Sequence, residues 1–381
     1  MTDHLEPSAD YLAMKPYWDK VDAITAGVEA MRARSASYLP SFPNESRENY
    51  AYRVQSSRLT DIFSDITESL AAKPFTREVG LADDSAPAQI DLIVEDADRM
   101  GNHLHVFAQQ VFYSGIAYGL DWIMVDYPAT PAGATLADER RAGARPYLVR
   151  IEAKDMLEVR SAVVGASEII TYARIDESTA DVARVRIFER QQAEGGGYLP
   201  AAFVVLERVK GGDWVEVDGG VLSIGEIPLI PFFTGRRIPG SWRFTLPMKR
   251  VADLQVEHYQ QETNLKLAKE NTCFPMLVGK GISPPVGEDG KPVKLPVGPS
   301  TVLYAPMNEL GAHGDWGVIE PGAASLQFLA DQIAQTEAAM RELGRMPSVI
   351  GTAGITQVAA AAASQRASSA VQAWAYSLKD V

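Results

Sequence analysis

The chain has 381 residues but a single cysteine, Cys273, so it cannot form an internal disulfide. It also has only five histidines, and none belongs to an HExxH motif or another recognisable set of metal ligands. We expect Cys273 to be a small buried apolar side chain. The sequence therefore predicts neither a disulfide framework nor a sequence-local metal centre.

Positive charge is also scarce. Lysine and arginine number 36 against 49 aspartates and glutamates, which gives a net charge of −13. Residues 243–381 hold 12 basic and 13 acidic side chains, so nearly all of the net negative charge lies in residues 1–242. A protein that grips nucleic acid by its phosphates needs a basic face, and this composition does not indicate one.

Long apolar runs are missing too. No uncharged run approaches the roughly 20 residues that a membrane-spanning helix needs. The best candidate, GIAYGLDWIMVDY, is interrupted by Asp121 and Asp126. The N-terminal stretch MTDHLEPSADYLAMKP lacks the basic and apolar regions of a signal peptide, so we expect no membrane contact.

Sequence-local catalytic motifs are equally absent. VGKGI and GDWG are rich in glycine, but neither fits a P-loop or a dinucleotide fingerprint. Ser114 lies in YSG and lacks the preceding glycine that a nucleophile elbow requires. This absence favours a structural role over an enzyme.

Two acidic or histidine pairs are compatible with chemistry. His258 and Glu262 are four residues apart on a predicted helix and could share a metal, but the absence of further ligands favours a polar face, solvated or between subunits. Asp121 and Asp126 could perform acid–base or metal chemistry. Their odd spacing places them on opposite faces of a strand, which favours solvation at the ends of that strand.

The pattern of apolar residues predicts an α+β protein. Residues 1–120 have apolar side chains at helical spacing. Residues 121–245 contain short segments rich in β-branched and aromatic residues, separated by turn signals such as AEGGGY and KGGD. This second pattern predicts a mostly antiparallel β meander.

The last third begins with a predicted helix over 246–272, in which Pro247 occupies a permitted first position. Its middle, QVEHYQQETN, is polar on nearly every side. Such a helix bridges between bodies, is held by partners outside its own domain, or carries chemistry. A proline-rich extended module follows over 273–324, and then a second helix over 325–345. A loop over 346–355 leads to an alanine-rich helix over 356–381. The alanine run indicates either plain helix propensity or close packing against another helix.

Several motifs, taken in order, resemble those of tailed-bacteriophage portal proteins, the head-to-tail connectors, in a branch labelled only as a domain of unknown function. The N-terminal and strand motifs are Tyr-Leu-Pro, Glu, Tyr-x-x-Arg, Lys-Pro-Phe and Gly-x-x-x-x-x-Val-Asp-x-Pro, at Tyr38–Pro40, Glu45, Tyr50, Arg53, Lys73–Phe75, Gly119, Val125, Asp126 and Pro128. The helix over 246–272 resembles the family's Leu-Ala-Asp-Leu-x-x-x-His-Tyr-Gln motif, with Val251 in the usual leucine or isoleucine place. The resemblance covers nearly the whole chain and depends on the order and spacing of the motifs.

The resemblance implies a portal-like fold and a ring of identical subunits, typically twelve, at one capsid vertex of a virion assembled in the host cytoplasm. Double-stranded DNA would pass through the channel without sequence specificity during packaging and ejection, and a terminase would bind transiently. A head–tail adaptor would contact the clip, and the major capsid protein would contact the wing. No enzymatic activity, cofactor, metal or membrane is implied.

The same resemblance gives each segment a place. The wing would comprise a helical part over 1–120 and a β-rich part over 121–245. The stem and clip would follow as the first stem helix over 246–272, the clip over 273–324 and the second stem helix over 325–345. The tunnel loop would be 346–355, and a long wing or spine helix would begin over 356–381. Candidate channel-lining residues of the tunnel loop are Met346, Ser348, Val349, Ile350 and Thr352. Candidate contacts between stems are Glu257, His258, Gln261 and Glu262. Family members continue into more wing and a crown, so a further C-terminal segment is expected.

The charge distribution suits this interpretation. A near-neutral stem, clip and loop would let a polyanion slide with few phosphate contacts. Twelve copies would carry a charge of about −156 (12 × −13), a field that repels DNA at long range. Two alternatives remain: another head–tail adaptor or capsid structural protein, although adaptors are usually shorter, and a hydrolase whose site draws on Asp121, Asp126 or His258.

Overall fold

A computed structural model describes residues 3–80, 88–128, 135–209, 212–273, 276–280, 315–319, 323–344 and 369–379. These residues combine helices with antiparallel sheets, so the predicted α+β class is confirmed. The chain divides into two compact units. The first unit comprises Met1–Arg34, Asp61–Val256 and Glu337–Val381, and the second unit comprises Ser35–Thr60 and Glu257–Thr336.

The N-terminal part is helical, as its periodicity predicts. Its helices are α1 Ala9–Thr25, α2 Val28–Ala33, α3 Ser35–Tyr38, α4 Arg47–Gln55, α5 Ile62–Ala72, α6 Ala88–Glu95 and α7 Leu104–Tyr118. Side-chain oxygens of Ser8, Ser46 and Asp61 cap α1, α4 and α5 by accepting a hydrogen bond from a backbone N–H of the first turn. Gly119 ends α7 at φ +86°, in the left-handed region that favours glycine.

The core of the first unit forms where α5 and α7 pack together and α7 meets the strands. Phe63, Phe112 and Ile116 are completely buried. A Cβ atom at Gly115 would lie 2.3 Å from the Phe232 ring, so glycine is required for this close approach of helix and strand. Phe112 stacks on Phe232 with 5.7 Å between ring centroids.

Two antiparallel sheets belong to the first unit. The three-stranded sheet has the order β2-β1-β8, formed by Tyr147–Glu152, Leu120–Asp126 and Leu229–Phe233. The five-stranded sheet is a meander of β3 Met156–Val164, β4 Ser167–Asp176, β5 Val182–Glu189, β6 Ala202–Val209 and β7 Val215–Val221. The short helix α8, Leu136–Arg141, precedes β2. The meander predicted from alternating residues and glycine turns is therefore present.

The helix predicted over 246–272 is α9, Lys249–Cys273. Pro247 lies in the turn before it, where Lys249 N–H donates to the Leu246 carbonyl at 3.2 Å. The strands β9 Met276–Lys280 and β10 Asp315–Ile319 pair antiparallel, and α10 follows over Ala323–Leu343. Residues 369–379 are helical, and Trp374 Nε1 donates to the Thr234 carbonyl at 2.9 Å.

Several predictions fall on residues that the structure does not describe. The rest of the clip, the tunnel loop over 346–355 and the alanine run lie outside the described residues. The side chain of Cys273 also lies outside them, so its burial stays a prediction. The assignment of segments to wing, stem and clip likewise stays a prediction.

Candidate functional site: the second unit around helix α9

Two of the N-terminal motif residues, Glu45 and Arg53, form a buried ion pair. Arg53 is only 1% exposed. Its Nε donates to Glu45 Oε1 at 2.8 Å, and its Nη2 donates to Oε2 at 2.7 Å, so one edge of the guanidinium binds both carboxylate oxygens. The hydrogen bond from Arg53 lowers the pKa of Glu45. The motif therefore fixes a charged pair in the interior of the second unit.

The same guanidinium also fixes the loop before α4. Its Nη2 donates to the carbonyl of Pro40, the proline of the Tyr-Leu-Pro motif, at 2.8 Å. The Phe42 ring lies 4.1 Å from the guanidinium carbon and the Tyr50 ring lies 5.5 Å from it, both within cation–π range. Tyr-Leu-Pro, Glu and Tyr-x-x-Arg thus form one local cluster.

This cluster is connected to α9. Gln260 Nε2 donates to the Tyr38 carbonyl at 2.9 Å, and Lys266 Nζ donates to the Ser56 carbonyl at 2.8 Å. The Tyr259 hydroxyl lies 2.9 Å from the Ser57 hydroxyl. Residues of α9 therefore hydrogen-bond to backbone and hydroxyl groups of the segment 35–60.

Burial explains why the middle of α9 is polar on nearly every side. His258, Tyr259 and Thr263 are at most 2% exposed, so several of these polar side chains point inward. In the first unit, fully buried Gln255 accepts from the backbone N–H groups of Ile62 and Phe63, at 2.9 and 3.0 Å. These N–H groups open α5 and have no partner within that helix. The polarity of α9 serves its neighbours in the same chain.

The four predicted stem contacts differ in exposure. Glu257 is exposed, Gln261 and Glu262 are half-buried, and His258 is buried at 2%. His258 therefore offers little surface to a neighbouring subunit. Contacts between subunits at these positions stay a prediction.

Hydrogen bonds occupy the two half-buried members of this set. Glu262 accepts from the Thr60 N–H at 2.8 Å and from its hydroxyl at 2.9 Å. Gln261 accepts from the Thr336 hydroxyl at 2.9 Å, which joins α9 to α10, and donates to Glu257 at 3.1 Å. Both side chains are therefore oriented by their own chain.

The predicted solvation of Asp121 is wrong. Asp121 is fully buried in the first unit, and the nearby Arg150 Nε lies 3.8 Å from its Oδ2. Burial raises the pKa of Asp121 well above its usual range, and Arg150 offsets only part of that rise. A carboxyl group sealed from solvent cannot reach a substrate.

Asp126 is occupied by partners instead. It accepts from the Tyr147 hydroxyl at 3.0 Å and lies 3.6 Å from Arg186 Nη1. Among the described residues, no group of three or more His, Cys, Asp or Glu could hold a metal. Asp126 is thus engaged by neighbouring residues of its own unit.

Within the part of the chain that the structure describes, no helix is both long and apolar enough to cross a membrane. The channel candidates Met346, Ser348, Val349, Ile350 and Thr352 lie outside the described residues. In the sequence, Glu45 and Arg53 stand out only as motif residues. Gln255 offered no signal, because its partners lie more than 190 positions away.

Comparison with known proteins gives a partial match. The family described as "Domain of unknown function (DUF4055)" matches residues 247–381. No curated protein matches the chain. Among solved structures, the chain is similar to one from "Neck of empty GTA particle computed with C6 symmetry", at 15% identity and TM-score 0.40, over 80% of this chain and 69% of the other. It is also similar to one from "Virion of native gene transfer agent (GTA) particle", at 12% identity and TM-score 0.37, over 95% of this chain and 87% of the other.

Proposed function

We propose that this chain is a structural subunit of a tailed-phage-like particle, and specifically its portal protein. One observation carries the proposal. The two separate motifs that resemble the portal family meet in the fold, because Gln260 of the His-Tyr-Gln motif donates to the carbonyl of Tyr38, which opens the Tyr-Leu-Pro motif. Residues 222 positions apart in the sequence thus form one hydrogen-bonded cluster with Glu45 and Arg53. A chance match of short motifs gives no reason for such a meeting.

The order of elements in the last third supports the same function. A 25-residue helix, an antiparallel strand pair and a 21-residue helix follow each other as α9, β9 with β10, and α10. This order suits two stem helices that flank a small clip. The subunit would assemble into a ring, typically of twelve, at one capsid vertex, with the adaptor at the clip, the capsid protein at the wing and terminase bound transiently.

The charge of the chain suits a passage for DNA. The stem, clip and loop are nearly neutral, so they would make few of the phosphate contacts that raise affinity and salt dependence. The channel would then pass double-stranded DNA without sequence specificity during packaging and ejection. Met346, Ser348, Val349, Ile350 and Thr352 would line it. The side chains invoked are structural, and the proposal assigns no catalysis, cofactor or membrane contact.

Imaging tests this function directly. We expect negative-stain and cryo-electron images of the purified chain, or of the particles that contain it, to show rings with a central channel. Portal subunits can be monomeric before assembly, so particles are the decisive material. Particles that lack a ring of this chain at any vertex would contradict the proposal.

A deletion tests the channel. Removal of residues 346–352 should impair DNA packaging or retention and leave ring assembly intact, because these residues would contact the DNA and not the neighbouring subunits. Packaged DNA is measured by nuclease protection, and rings are counted in electron images. Normal packaging by the deletion variant would contradict the assignment of this loop to the channel wall.

A further inference from the structure

The second unit contains an apolar groove between α9 and α10. The groove has a volume of about 450 Å³. Leu265, Ala330 and Ile333 form its apolar lining, and the charged residues that line it are Arg58, Glu262, Lys266, Lys269 and Glu270. Glu262, Lys266 and Glu270 are hydrogen-bonded to Thr60, Ser56 and Tyr52, and Arg58 lies 3.6 Å from Glu262. Lys269 is exposed and has no ion-pair partner among the described residues. The groove therefore offers an apolar floor beside an available positive charge.

The opposite face of α10 carries a projecting aromatic ring. Phe328 is 61% exposed, an unusual environment for a side chain that gains most from burial. At about 100° per residue, Phe328 lies about 160° around the helix axis from Ala330 and about 140° from Ile333. The ring thus points away from the groove of its own chain.

An acidic residue lies beside this ring. Asp331 is exposed and one turn from Phe328, so the two share a face of α10. Asp331 accepts from Gln327 Nε2 at 2.8 Å and has no cationic partner among the described residues. The face with Phe328 therefore offers an aromatic ring beside an available negative charge, which is the complement of the groove.

We infer that Phe328 of one copy inserts into the groove of a second copy, with Asp331 of the first beside Lys269 of the second. Such a contact joins two different surfaces, so after pairing the first copy keeps a free groove and the second copy keeps a free ring. Contacts of this head-to-tail kind generate rings when the rotation closes. The inference rests on the proposed function for that closure and names the contact that would produce it.

A free apolar ligand is the alternative to a second copy as the occupant of the groove, and the exposed ring and the charges favour the second copy. A free apolar ligand would explain the floor but not the exposed ring on the far side of the same helix. A second copy explains both surfaces and pairs both available charges. An aromatic side chain buries roughly 150–250 Å² when it is enclosed, enough to anchor an interface.

Sedimentation of the full-length chain tests this contact. We expect Phe328→Glu to raise the dissociation constant for self-association by roughly 30-fold or more, as for loss of an interface anchor. Met100→Glu is the matched control, because Met100 is 84% exposed and belongs to the first unit, and it should leave association unchanged. Equal effects of the two variants, or a wild-type chain that stays monomeric at every concentration, would overturn the inference.

A charge exchange tests the pairing without altering the apolar surface. Lys269→Glu and Asp331→Lys should each weaken association by roughly 3- to 5-fold, the scale of an exposed ion pair. The double variant should regain wild-type association, because the opposite charges again face each other. A double variant no better than either single variant would refute the proposed orientation.

Complementation gives the sharpest result. Ala330→Trp should fill the groove and leave Phe328 free, whereas Phe328→Glu leaves the groove free. We expect each variant to be monomeric alone and their mixture to stop at a 1:1 dimer, and a mixture that stays monomeric would count against the contact. Circular dichroism checks that Ala330→Trp is folded, and the charge exchange decides if it is not.

The ring and the contact can fail separately. If Phe328→Glu forms rings as well as the wild type does, the proposed contact is wrong and the proposed function is unaffected. Association that depends on Phe328, together with particles that lack a ring of this chain, would support the contact and contradict the portal function.

Discussion

Replacing Arg53 by alanine should destabilise the second unit strongly. The variant leaves the Glu45 carboxylate, whose side chain is only 9% exposed, without either of its hydrogen bonds from the guanidinium. Hydrogen bonds to charged groups contribute about 1.5–3 kcal/mol each, and breaking one partner out of a buried ion pair costs about 3–5 kcal/mol. Because the carboxylate is near enough to the surface to recover some hydration, we expect the free energy of unfolding to fall by about 3 kcal/mol.

Urea unfolding followed by circular dichroism measures this loss. Arg53→Lys keeps the charge but not the bidentate pair of hydrogen bonds, so it should recover about half of the lost free energy of unfolding. Arg58→Ala is the control, because Arg58 has a 68% exposed side chain and lies 3.6 Å from Glu262 in the same unit. Its removal should cost less than about 1 kcal/mol. An Arg53→Ala variant no less stable than Arg58→Ala would refute this reasoning.

Acid gives an independent check on the same pair. The pKa of Glu45 is lowered from its ordinary value of 4.5, so the pair stabilises the fold above that pH. This contribution disappears as the pH falls through the lowered pKa, because Glu45 then binds a proton in both states. The difference in unfolding free energy between wild type and Arg53→Ala should therefore shrink below about pH 4.5. If this difference stayed constant down to pH 2, the lower stability of Arg53→Ala would not come from loss of the ion pair.

Two further substitutions test the interior of the first unit. Gln255→Ala should cost about 2 kcal/mol in urea unfolding, because the first backbone N–H groups of α5 lose their acceptor, whereas exposed Gln327→Ala should change stability by less than about 0.5 kcal/mol. Equal losses for the two glutamines would contradict the capping role. Asp121→Asn should increase stability at neutral pH, because the raised pKa means that ionisation of the buried carboxyl opposes folding above its unfolded pKa. The gain should vanish below about pH 3.8, where Asp121 is protonated in both states, and a gain that persists there would point to another cause.

Local patterns predicted most of the secondary structure because those patterns arise from local physics. Alternating apolar residues and glycine turns placed the strands of the meander, and the helix predicted over 246–272 occurs as Lys249–Cys273. The proline at 247 was placed inside the helix but lies in the turn before it. Such an error is small, because a first-turn position and the preceding turn both tolerate a residue without an N–H.

The role of the polar middle of α9 could not be predicted in the same way. The sequence shows that Gln255 and Gln260 are polar, but it does not show which distant backbone groups they satisfy. The burial of Asp121 could not be predicted for a related reason. A strand alternation indicates which face a side chain occupies, but not whether a helix such as α7 covers that face.

The hydrogen bonds between segment 35–60 and α9 also set an order of events during synthesis. The hydrogen bond between Tyr38 and Gln260 cannot form until 222 further residues are synthesised, and the one between Tyr52 and Glu270 requires 218 further residues. At about 5–20 residues per second, a ribosome needs about 10 to 45 seconds to make that interval. Leu39, which follows Tyr38 and is 1% exposed in the folded chain, is synthesised long before α9. The nascent chain therefore carries the segment 35–60 without its hydrogen-bonding partners until α9 is synthesised.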